Sequence, residues 1–160
     1  MAKKMLISAL IFCVFLVSRA DAMVSFVVIE TGLADEAPKK EYSMLWEDSF
    51  FDVFFDAGHI ISNAPMMRLP GHQAGSFPQE AMPKLDKAKE GGAVFFIAAI
   101  LDYAPAALIP DNISLQIFRL APHEKVHGLQ FNTGPQRTAM ESHDNVRAII
   151  RGVIPYLDQR

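Results

Sequence analysis

The stretch Ala93 to Tyr103 constrains this chain more than any other. It is a continuous apolar run containing Val94, Phe95, Phe96, Ile97 and Ile100, with Gly91-Gly92 before it and Pro105 after it. A helix would leave the same hydrophobic signal, but the paired glycines and the proline favour a strand. A strand apolar on both faces must be covered on both faces, so the run predicts the centre of a sheet with other layers packed around it. At 160 residues the chain holds one such domain at most. Its 51% hydrophobic and 21% charged content exclude a disordered or low-complexity protein.

The amino terminus changes this arithmetic. Met1-Ala2-Lys3-Lys4 leads into an apolar run from Met5 to Val17, and Ser18-Arg19-Ala20-Asp21-Ala22 follows. A basic start, a short apolar core and small residues at Ala20 and Ala22 form a secretory signal with an A-x-A-like cleavage site. The run of 13 residues falls short of the roughly 20 that a spanning helix needs. No lipid anchor is expected, because Cys13 lies inside the run and follows Phe12 rather than a small residue. Cleavage after Ala22 divides the chain into a signal over 1–22 and a single exported domain over 23–160. It removes Lys3, Lys4, Arg19 and Asp21, taking 15 basic against 18 acidic residues to 12 against 17. The sole cysteine leaves as well, so the exported domain depends on its core and not on disulfides. An acidic balance offers no footprint for nucleic acid.

The mature chain alternates between two periods. Met23 to Ile29 is rich in β-branched residues and reads as a buried strand, and Leu33 to Glu41 reads as a surface loop. From Tyr42 to Ala57, Trp46, Phe50, Val53, Phe54 and Ala57 recur at helical spacing, with Asp48, Asp52 and Asp56 as a polar stripe and Gly58 as the C-cap. Phe51 and Phe55 widen the apolar face, which predicts cover on both sides of this helix. His59 to Ser62 is short and extended; Met66 to Pro78, with its Pro and Gly pauses, reads as a loop. Gln79 to Glu90 is helical if Pro83 sits in the first turn. Ile113 to Leu120 and Val126 to Phe131 form a hairpin around a polar turn at Pro122-His123-Glu124-Lys125, and Ser142 can cap a last helix running to about Leu157. The expected fold is α+β (mixed α/β): one mixed β-sheet in the order β-α-β-α-β-β-β-α, with helices packed on it.

The sharpest chemical pattern is His123-Glu124-Lys125-Val126-His127, a formal H-E-x-x-H. A zinc hydrolase needs those two His one helical turn apart, with the Glu activating a bound water. Here the setting is strand-like, with Pro122 before and Gly128 after. Residues four apart in an extended chain are about 13 Å apart, far beyond two zinc bonds of roughly 2 Å each. A small exported zinc-dependent hydrolase using His123, Glu124 and His127 is therefore the alternative reading and a polar hairpin the preferred one. His59 suits a helix end and His143 a helix start. Asp48, Asp52 and Asp56 suit a solvated face. No phosphate-binding glycine motif and no nucleophile elbow occurs, and no cofactor is expected. A ligand or partner site is expected in the loop, at Met66, Met67, His72 and Phe77, where adjacent methionines make an adaptable surface.

The order of elements carries a resemblance. Ser25-Phe26-Val27-Val28-Ile29 precedes a helix ending Phe54-Phe55-Asp56-Ala57-Gly58-His59-Ile60-Ile61. A second helix runs into Gly91-Gly92-Ala93-Val94-Phe95-Phe96, and the hairpin strand Ile113-Ser114-Leu115-Gln116-Ile117-Phe118-Arg119-Leu120 and a final helix follow. This resembles the small envelope α/β domain of the TolB amino-terminal region and of curli-secretion CsgG-type lipoproteins. The chain departs from those proteins in its lack of a lipidation cysteine, a propeller and pore-forming segments, so the likeness extends to the domain and not to the Tol-complex or channel roles. It implies a non-catalytic periplasmic or extracellular domain that assembles with envelope protein partners and meets the membrane only through them.

Overall fold

A computed structural model describes residues 22–33, 41–71, 76–121, 123–132 and 139–157. Apart from Ala22, the expected export signal lies outside the described residues, as does His72. The elements are β1 (Met23–Thr31), α1 (Glu41–Asp56), β2 (Ile60–Asn63), β3 (Met67–Leu69), a 3-10 turn (Gln79–Ala81), α2 (Met82–Glu90), β4 (Phe95–Asp102), β5 (Asn112–Leu120), β6 (His123–Asn132), α3 (Ala139–Arg151) and α4 (Ile154–Leu157). They build one mixed sheet in the order β2-β1-β4-β5-β6, with β3 also paired to β1. β1 is parallel to β2, β3 and β4, while β4–β5 and β5–β6 are antiparallel. Helical crossovers return the chain to the same end of the sheet and so give parallel strands; the hairpin gives the antiparallel ones.

β4 is the central strand that its sequence predicts. Phe95, Ile97, Ala99 and Leu101 enter one core with Trp46, Phe50 and Phe54 of α1 and Val146 and Ile150 of α3. Phe96, Ala98 and Ile100 enter a second core on the opposite face, with Leu85 of α2. Alternation thus divides a uniformly apolar run between two layers. Gly58 takes φ 83° at the end of α1, where a side chain would be strained and the αL cap needs none.

Four expectations need correction. Met67–Leu69, read as loop, is a strand: three residues pair in parallel with Ile29–Thr31. The hairpin turn is tighter than its polar composition suggests, because β6 already begins at His123. A register shift between Ile117 and Phe118 lets Val126 bulge out of the pairing, and the bulge breaks the alternation that would have marked His123–Lys125 as strand. The last helix starts at Ala139 and breaks at Gly152-Val153, before Pro155, so Ser142 is buried within α3 rather than capping it. Finally, α1 is not covered on both sides: Phe51 and Phe55 are exposed. Among the described residues, no helix is long and apolar enough to cross a membrane.

Candidate functional site

Polar residues gather where β1, β3 and β4 end. β1 leads through α1 on one face of the sheet to β2, whereas β3 leads through α2 on the other face to β4, on the opposite side of β1. Connections that part in this way leave a crevice at the carboxyl ends of the strands, the usual place for a ligand in open α/β sheets.

Glu30, in the last turn of pairing on β1, is almost wholly buried; Arg68 of β3 reaches its Oε2 with both Nε (2.9 Å) and Nη2. The pairing Glu30↔Arg68 follows from the β1–β3 register. On the other side of β1, Thr31 Oγ1 donates to Asp102 Oδ1 of β4 at 2.7 Å. Beneath them the buried Tyr103 hydroxyl shares a 2.7 Å hydrogen bond with Ser43 of α1. Burial pushes the Tyr103 phenol well above its ordinary pKa; the Ser43 bond opposes the rise, and the Glu30 carboxylate adds to it.

A recess of about 160 Å³ opens at this place, lined by Glu30, Met66, Met67 and Arg68. Met66 packs against the α1-side core and Met67 against the α2-side core, so the pair straddles the sheet edge. Two flexible thioethers beside a buried charge pair can accommodate apolar groups of varied shape next to one polar anchor. Phe77 serves elsewhere. It packs edge-to-face on Phe118 (4.9 Å) and Phe96 (6.2 Å) and closes the α2-side core.

The H-E-x-x-H residues lie on β6, at the far edge of the sheet from the recess. Their extended backbone does not make the helical turn that a shared zinc needs. The His127 ring instead stacks on Tyr156 of α4, 4.0 Å between centroids and 16° between planes. Among the described residues no group of three His, Cys, Asp or Glu is placed to hold a metal. His59 packs edge-on against Phe54 at 5.8 Å, with its Nδ1 buried and unbonded. Asp52 and Asp56 bind Arg147 of α3. Sequence reasoning found the methionines of the recess but missed Glu30 and Arg68. The available signal was an acid closing an otherwise apolar strand, with an arginine between two apolar residues in the supposed loop.

No protein-family model matches the chain, and no curated protein matches it in sequence. Among solved structures, a PelC variant dodecamer from Paraburkholderia phytofirmans superposes with a TM-score of 0.50 at 12% identity, covering 89% of this chain and 93% of that one. A second PelC dodecamer from the same organism gives a TM-score of 0.47 at 15% identity, over 90% and 91% of the two chains. TolB from Acinetobacter baumannii gives 0.47 at 6% identity, over 86% of this chain and 29% of its own. The first likeness shows a shared fold along nearly the whole chain.

Proposed function

We propose that this chain is a non-catalytic assembly domain of the cell envelope, which docks a segment of another envelope protein at the carboxyl end of β1 and β3. The recess between Met66, Met67, Arg68 and Glu30 carries this reading. It sits at an interrupted sheet edge, where β2 and β3 pair with β1 in turn and leave Ala64 to Met66 between them outside the strands. An extended segment lying along such an edge gains main-chain hydrogen bonds, and one apolar side chain in the recess gives it register. The export-type sequence expected over 1–22 supports a place in the envelope, and the dodecamer formed by a PelC variant of similar fold supports an assembly role.

The test is a photo-reactive amino acid at Met67, introduced into the chain in cells that export it, with Lys125 of the distant β6 as the control position. Irradiation at Met67 is expected to give one discrete adduct with another envelope protein; Lys125 is expected to give none. Absence of an adduct at Met67, or equal adducts at both positions, would overturn the proposal.

A further inference from the structure

The four side chains around the recess fix its chemistry as well as its place. Val24, Phe26 and Val28 enter the α1-side core, so alternation along β1 puts Glu30 on that face too. Arg68 is its register partner on β3 and shares the face. Met66 packs on the same side and Met67 on the other. The carboxylate is 1% exposed and the guanidinium 15%, while both methionines are half-buried. The ion pair is therefore the deeper part of the recess and the thioethers the shallower part. Other acids at this end of the sheet stand outside the lining. Asp102 lies across β1, where it accepts from Thr31, and Glu41 and Asp111 are exposed, where water and salt screen them.

These properties narrow what can occupy the recess. Its lining holds one anion and one cation, already joined. A charged occupant would compete for one of them and leave a buried charge uncompensated. An aliphatic group would displace water from the ion pair and offer it nothing in return. An aromatic ring does neither. Its positive edge suits the carboxylate, its negative face suits the guanidinium, and thioether sulfurs make favourable contacts with aromatic rings. The size agrees as well. The recess has about 160 Å³, close to the roughly 150 Å³ of an apolar cavity that takes up benzene. One six-membered ring fills such a space.

We propose that the recess selects one uncharged aromatic ring, the side chain of a phenylalanine or tyrosine in the docked segment, over aliphatic and charged side chains. This inference rests on the docking role proposed above and adds the chemistry of the residue that docks. Met66 and Met67 hold the ring through their sulfurs and Arg68 meets its face. Glu30 keeps the guanidinium fixed through Nε and Nη2. Flexible thioethers alone set no shape; the fixed ion pair beneath them makes the choice.

Capped amino acids test the choice, added to protein recovered after export from its full-length chain and followed by NMR of isotope-labelled methionine methyl groups. N-acetyl-tyrosinamide is expected to shift the Met66 and Met67 methyl signals upfield, as a ring lying over them does. The signal of Met44, exposed on α1, is expected to stay in place. The Kd is expected to be about fivefold or more below that of N-acetyl-leucinamide, the difference that sulfur–aromatic and cation–π contacts supply. The aspartate and lysine counterparts are expected not to bind. Met67→Leu, which nearly keeps the volume but removes the sulfur, is expected to narrow the gap between the tyrosine and leucine probes. No shift at Met66 and Met67, equal binding of the leucine probe, tighter binding of a charged probe, or equal shifts at Met44 would each overturn the proposal. A discrete adduct at Met67 in cells without any preference for the ring would overturn this inference alone. The preference without the adduct would overturn the docking alone.

Discussion

Ser43 and Tyr103 share a 2.7 Å hydrogen bond in the sealed layer between α1 and the sheet, where both side chains are wholly buried. The bond joins the first turn of α1 to the residue that follows β4. Its phenol has a pKa raised chiefly by burial, so the folded state holds that proton more tightly than the unfolded chain does. The contribution to stability is therefore whole below about pH 10, the ordinary phenol value, and is lost as pH rises above it. In denaturant titrations at increasing alkaline pH, wild type is expected to lose stability more steeply than Tyr103→Phe. At neutral pH that variant is expected to cost about 1–2 kcal/mol, because the Ser43 hydroxyl is left buried without its partner.

The aromatic column in the same layer gives a sharper contrast. Phe50 stacks on Phe26 at 4.6 Å and on Phe54 at 5.8 Å, with Trp46 tilted against it at 5.9 Å. Phe50→Ala is expected to destabilise by about 3–5 kcal/mol, as large-to-small changes of buried aromatics do. Phe55→Ala, five residues on and exposed, is expected to stay within about 0.5 kcal/mol. Urea midpoints for the two variants check both statements.

These same residues show how far the sequence can be read. The period of α1 is legible because Trp46, Phe50, Val53 and Phe54 all point into one core, and β4 is legible because a two-faced strand needs apolar residues at every position. Phe51 and Phe55 mislead for the same reason: periodicity says which residues are apolar, not whether a layer exists to cover them. β3 is illegible because three residues in parallel pairing are too few to display alternation. The Glu30–Arg68 pair depends on that unseen strand, so the charged half of the recess stays hidden while Met66 and Met67 stand out by composition. The β6 bulge hides the start of its strand and leaves His123–His127 looking like a motif-bearing turn.

Glu30 and Arg68 yield a prediction that separates two views of a buried ion pair. Removing one member takes the opposite charge from the other: Arg68→Met is expected to cost about 3–5 kcal/mol, since the Glu30 carboxylate remains buried without the guanidinium. Replacing both, as Glu30→Gln with Arg68→Met, is expected to recover most of that loss. A double-mutant cycle by urea unfolding measures the coupling. Equal losses for the single and double variants would mean that Arg68 acts through its packing at the sheet edge and not through the carboxylate.

Arg147 is the opposite case. It binds Asp52 at 2.6 Å and Asp56 at 3.3 Å across the α1–α3 interface, but the two aspartates are 55% and 68% exposed. Solvent and salt screen such pairs, so together they hold α3 by about 1 kcal/mol at most. The helix is held instead by Val146 and Ile150, with Val153 in the turn just after it, all buried in the α1-side core. Arg147→Met is therefore expected to lower the urea midpoint slightly at low ionic strength and to match wild type in high salt. Ile150→Ala, which opens a cavity in that core, is expected to cost about 2–5 kcal/mol at either salt concentration. An Arg147→Met deficit that persists undiminished in high salt would place the anchoring of α3 in the ion pairs rather than in its apolar face.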